Sequence, residues 1–161
     1  DPVCAYDYAR FIDKNPLKET RDAANEDPNY GLLYAIEVDK KRAKDKDSEI
    51  KICQDPSCAF HYAKHLGPSD ITEDGACMDP KWAYIYAKTF GASEKTRNSA
   101  ARDLYQLKKY ADQVDKLTED SDLVEFYIEK INEKKDDPFI EIWQEADSGL
   151  FSIIWGRSLD T

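Results

Sequence analysis

Glycine is scarce in this chain: six residues in 161, none of them clustered, so no glycine-rich phosphate loop is written in it. Histidine occurs twice and methionine once. No run of 18 apolar residues exists, which excludes a membrane-spanning helix. Positive charge is outweighed, with 23 Lys and Arg against 33 Asp and Glu, a net of −10 and a pI near 4.7. Such a surface repels phosphate backbones and anionic membranes. Competition for nucleic-acid binders is therefore expected before direct contact with nucleic acid. No Ser/His/Asp or Cys/His arrangement carries a recognisable local signature, and the expectation is a protein that is not an enzyme and uses no cofactor. The four cysteines (Cys4, Cys53, Cys58, Cys77) are not needed as staples in a chain that is 41% hydrophobic, so a reduced, cytoplasmic protein is expected. The chain opens at Asp1 with neither Met nor an apolar leader. A processed product and an excised part of a longer protein both fit that start.

What the chain does have is 10 Tyr, 3 Trp and one phrase written several times. "DPVCAYDYAR" begins at Asp1, "DPNYGLLYAI" at Asp27, "DPSCAFHYAK" at Asp55 and "DPKWAYIYAK" at Asp79. Spacing of this order indicates stacked supersecondary units. Asp is a strong N-cap and Pro suits the first helical position, so each Asp-Pro reads as a helix start. Counting from each Asp, the eighth residue is always Tyr (Tyr8, Tyr34, Tyr62, Tyr86) and the ninth always Ala (Ala9, Ala35, Ala63, Ala87). The fourth is Cys4, Tyr30, Cys58 or Trp82, the fifth Ala5, Gly31, Ala59 or Ala83, and the twelfth Ile12, Val38, Leu66 or Phe90. These places share one stripe of an α-helix. Each unit is expected to bury that stripe against the next. Between the copies, 15–26 predicts a second short helix, 38–53 a partly helical segment, and 67–78 about one helical turn.

The phrase resembles the tandem DP-x-x-A-Y-x-Y-A helical repeats of bacteriophage and large-virus proteins, a largely uncharacterised family. The likeness covers roughly residues 1–92 and is strongest over Asp70 to Phe90, while Gly31-Leu32 departs from it. It implies a viral origin and a role directed at a host. With the periodicity, it predicts an all-α fold: short helical hairpin repeats in a solenoid-like array over 1–92, then helices over 93–161 forming a bundle or cap. Residues 93–117 predict one longer amphipathic helix and 120–135 another, capped by Asp120 or Ser121. Asp137-Pro138 opens a further predicted helix with Phe139, Ile142 and Trp143 inward, and 150–155 reads as a last helix or a short strand.

Candidate sites follow from chemistry. Cys58, His61 and His65 would share a helix face with Cys53 just upstream, a possible metal array. The same places hold unrelated residues in the other copies, so no metal is expected there. Cys53 and Cys77 occupy matching places two residues before an Asp-Pro, as free thiols or as a disulfide. The carboxylate pairs Glu141/Glu145 and Asp120/Asp122 invite acid–base chemistry but arise readily among 33 acidic residues. Charge is uneven: 39–51 is locally basic, whereas 112–137 holds ten acidic residues against four lysines. That acidic ridge, with Asp112, Asp115, Glu119, Asp120, Asp122 and Glu125, would steer the chain to a partner with a basic face. Tyr6 and Tyr84, read as exposed, would anchor such an interface, or else pack between units. The function expected is a non-enzymatic protein-binding module, a viral factor that modulates a host protein. Two alternatives remain: an acidic nucleic-acid mimic blocking a host defence nuclease, and a structural virion or scaffold component.

Overall fold

At the Asp-Pro that opens each of the four copies, the Asp carboxylate accepts backbone N–H groups of the first helical turn: Cys4 for Asp1, Asn29 and Tyr30 for Asp27, Cys58 for Asp55, Lys81 and Trp82 for Asp79. The structure, a computed structural model, describes residues 1–13, 15–40, 45–118, 122–134 and 136. Among these every regular element is helical. Helices α1 (Pro2–Asp7), α3 (Pro28–Leu33), α5 (Pro56–Leu66) and α7 (Pro80–Phe90) are the four copies of the phrase. Short helices α2 (Lys18–Ala24), α4 (Lys46–Ile52), α6 (Asp70–Ala76) and α8 (Glu94–Ala100) follow them. The segment 67–78 thus makes two turns, not one, because Ser69 and Thr72 form a capping box at its start.

The helix expected over 93–117 is two helices. Ala101–Asp103 interrupts it, and Asp103 caps α9 (Leu104–Tyr110) through the Gln106 N–H. Counted from Asp103, Tyr110 and Ala111 stand eighth and ninth, so the phrase is present a fifth time without its proline. Helix α10 (Val124–Asn132) follows; its N-cap is Leu123, with no side-chain cap. The caps expected at Asp120 and Ser121, and everything foreseen from Asp137 onward, lie outside the described residues.

Consecutive long helices pack in chain order, α1 on α3, α3 on α5, α5 on α7 and α7 on α9. The contact is the same each time. The fifth, sixth and ninth residues of one long helix, with the end of its short helix, meet the fourth, eighth and twelfth of the next. Tyr6, Ala9 and Ala24 meet Tyr34 and Val38, with Ala5 and Tyr30 at the margin. Ala35 and Ile52 meet Cys58 and Tyr62, Phe60, Ala63 and Ala76 meet Tyr86, and Tyr84, Ala87 and Ala100 meet Tyr110. The last such face, Leu107 and Ala111, is covered by Leu117, Val124, Tyr127 and Ile131. Gly31 replaces the usual Ala because a Cβ there would stand 2.6 Å from Asn25 Oδ1 and 2.9 Å from Ile52 Cγ1.

Three of the eighth-place tyrosines are locked as well as buried. Tyr34, Tyr86 and Tyr110 place their hydroxyls 2.7–2.9 Å from Thr20, Thr72 and Thr96, each fourteen residues earlier in a short helix. The hydroxyls also donate to the carbonyls of Leu17, Ser69 and Ser93. Two units carry a further clamp. In α3 and α9 the thirteenth residue is Asp, the helix ends in a wide π-helical turn (Tyr34–Asp39, Ala111–Asp115), and the following Lys is left-handed. Arg21 and Arg97 of the preceding short helices then grip Asp39 and Asp115 through two N–H donors each, at 2.7–3.0 Å. In α5 and α7 glycine stands at that place, with φ +100 and +116, and simply ends the helix.

Candidate functional site

Helix α1 presents to solvent the stripe that every later copy uses for packing. Tyr8 is 50% exposed, whereas Tyr34 is fully buried. Ile12 is 65% exposed where Val38 is 7%, and Cys4 is exposed where Cys58 is buried. Phe11 is exposed beside them, under the Arg10 guanidinium 5.0 Å from its ring centre. The chain continues from α1 as a π-helical turn, Tyr8–Asp13, the geometry that elsewhere brings an Asp to an Arg. Here Asp13 Oδ2 is buried with no hydrogen-bond partner among the described residues. This apolar face with one unanswered carboxylate oxygen is the candidate docking site.

The predicted site residues fare differently. Tyr6 and Tyr84 are not exposed anchors: they are 5% and 7% exposed, because the sixth place faces the next unit. The Tyr6 hydroxyl donates to Glu37 at 2.7 Å and accepts from Arg10 at 2.6 Å. Tyr84 donates to Gln113 at 2.7 Å, with Lys88 donating to both. Asp115 does not belong to a surface ridge either. Its side chain is 3% exposed, held by Arg97 and by the Tyr127 hydroxyl at 2.5 Å, and burial drives the Tyr127 pKa up. Asp112 is exposed, 3.7 Å from Lys108. Asp122 and Glu125 are exposed beside α10, where Glu125, Glu129, Glu133, Phe126 and Ile128 border an open groove of about 870 Å³. Glu119, Asp120, Glu141 and Glu145 lie outside the described residues, as do residues 41–44 of the basic stretch.

The sulfur and imidazole groups do not converge. Cys58 is buried, its thiol directed at Asn29 Oδ1 3.5 Å away. His61 lies edge-on between Phe60 and Trp82; burial, then the charges of Lys64 and His65, lowers its pKa. His65 is exposed. Cys53 and Cys77 are free thiols, buried and half-buried. Burial pushes the Cys53 and Cys58 pKa values up to about 12, the reverse of an activated nucleophile. No group of three potential metal ligands forms among the described residues, and no described helix is long and apolar enough to cross a membrane. An open depression of about 330 Å³ between α6 and α8 is walled by Ser69, Tyr86, Phe90 and Ser93 with the carboxylates of Asp70 and Glu73. No protein-family model, curated protein or solved structure matches the chain.

Proposed function

We propose that this chain is a non-enzymatic protein-binding module, a viral factor that engages a host protein through the leading face of α1. The observation that carries the reading is the exposure of Tyr8 and Ile12, places whose counterparts are packed in the later copies, with Phe11 exposed beside them. Contiguous apolar surface of this kind marks interaction sites. The repeat resemblance supplies the host-directed part. The test is retention of a host protein on the immobilised chain, compared with the Ile12→Asp variant. One stoichiometric partner, kept in 0.5 M salt and lost with Ile12→Asp, supports the reading; equal retention by both forms overturns it.

A second reading, an acidic mimic of nucleic acid, draws on exposed Asp112, Asp122 and Glu125 with Glu129 and Glu133 alongside. It predicts binding that collapses with salt and with charge reversal at Asp122 and Glu125, and is indifferent to Ile12→Asp.

A further inference from the structure

Two of the interfaces inside the array reverse the sign of the clamp that the others carry. The fourth residue of each short helix and the thirteenth place of the next long one come as Arg21 with Asp39, Glu49 with Gly67, Glu73 with Gly91 and Arg97 with Asp115. Where Arg stands with Asp, the carboxylate grips the guanidinium. The guanidinium then lies 6.0 Å from the Tyr34 ring centre for Arg21 and 5.9 Å from that of Tyr110 for Arg97. Where Glu stands with Gly, the short helix brings a carboxylate and the thirteenth place brings no side chain at all.

The two Glu–Gly places then part company. Glu49 is 5% exposed and accepts the hydroxyl of Ser69, twenty residues on, so the chain answers that carboxylate itself. Twenty residues beyond Glu73 stands Ser93, whose hydroxyl is engaged with Thr96 at 3.0 Å. The Lys95 ammonium is drawn to Asp74, at 2.6 Å. The Glu73 side chain is left with no hydrogen-bond or ion-pair partner among the described residues. With Asp70, Tyr86 and Phe90 it borders the open depression of about 330 Å³ between α6 and α8, within the roughly 300–1,000 Å³ range of ligand pockets. Tyr86 is held in place by its hydroxyl contact with Thr72 at 2.9 Å, and its ring centre is 4.7 Å from that of Phe90. The parts of the clamp are all present here except the cation: a fixed tyrosine ring, a carboxylate and the space between.

We infer that this depression binds the guanidinium of an arginine side chain carried by another polypeptide, in the place that Arg21 and Arg97 fill at the clamped interfaces. Glu73 accepts its N–H donors, Asp70 adds charge, and Tyr86 and Phe90 supply aromatic surface. Guanidinium suits the site better than ammonium, because its planar fork matches a carboxylate and its weakly hydrated face lies against rings. Free arginine suits it less, since its own carboxylate is repelled by Asp70 and Glu73. The site is separate from the α1 face, so the failure of either reading leaves the other intact.

The test is a titration of the isotope-labelled full chain with N-acetyl-arginine amide, followed by backbone amide shifts. Saturable shifts confined to residues 68–73 and 86–93 are expected. N-acetyl-lysine amide and free L-arginine should each bind about fivefold more weakly. Glu73→Gln should weaken N-acetyl-arginine amide about tenfold, and Glu73→Arg, which builds a guanidinium in, should abolish binding. Glu125→Gln, in the other open groove, should change nothing. Equal binding of the lysine amide overturns the inference, as do shifts spread over the acidic surface or centred on 125–133, and as does a Glu73→Gln titration matching that of the unaltered chain. Free L-arginine binding as tightly as the amide overturns the assignment to a polypeptide. The arginine–lysine comparison needs no substitution, so a variant that fails to fold does not shield the inference.

Discussion

Single residues in this chain are constrained by close approach more than by chemistry. Gly75 lies where the α6 backbone crosses the preceding short helix: an added Cβ would meet Cys53 O at 2.4 Å and Ala59 Cβ at 2.8 Å. Gly91 has nothing within 4 Å, and only its positive φ resists a side chain. Gly75→Ala is therefore expected to lower stability by about 1–3 kcal/mol through overpacking, and Gly91→Ala by about 1–3 kcal/mol through backbone strain alone; urea denaturation of the two variants checks both. The thiols divide on the same principle. Cys4 is exposed, while burial holds Cys53 and Cys58 protonated with pKa values of about 12. At pH 8 iodoacetamide should label Cys4 within minutes and reach Cys53 and Cys58 only after denaturation, as read by peptide mass mapping.

Elements are set by caps, and their pairing by one hydroxyl bridge. Asp-Pro declared the starts of α1, α3, α5 and α7 without ambiguity, since both residues act through the local backbone. The start of α9 was missed because Asp103 lacks the Pro, and the amphipathic pattern of 93–117 runs across the break at Ala101–Asp103. Seven-residue helices such as α6 are marginal alone and persist by packing, so their extent was hard to read from propensity. The Thr–Tyr bridge ties the two kinds of helix together. Thr96 Oγ1 meets the Tyr110 hydroxyl at 2.7 Å and accepts the Ser93 N–H at 3.1 Å. Thr96→Val leaves that cap N–H unanswered and should cost about 1–3 kcal/mol. Tyr110→Phe leaves the cap intact and should cost less; thermal melts of both variants decide it.

At the scale of the whole molecule, buried hydroxyls and thiols make stability depend on alkaline pH. Burial raises the pKa of Cys53, Cys58 and Cys77, whose ordinary value is 9.0, and of Tyr62, Tyr86, Tyr110 and Tyr127, whose ordinary value is 10.0. The folded state then holds more protons than the unfolded one above pH 9, so stability is full below that pH and is lost as pH rises toward 12. A urea midpoint constant from pH 7 to 8.5 and falling steadily above 9 is the expected profile. The all-helical class and the recurring stripe were legible in the chain itself, because capping and 3.6-residue periodicity are local properties. The partition of that stripe was not. Only packing shows that the fourth, eighth and twelfth places look backward and the fifth, sixth and ninth forward, which buries Tyr6 and Tyr84 and leaves Tyr8 and Ile12 in water. Likewise Asp115 looked like surface charge until tertiary structure set Arg97 and Tyr127 against it. Sequence determined the helices; only contacts between residues far apart in the chain decided which faces remain uncovered, since exposure depends on what else occupies the space.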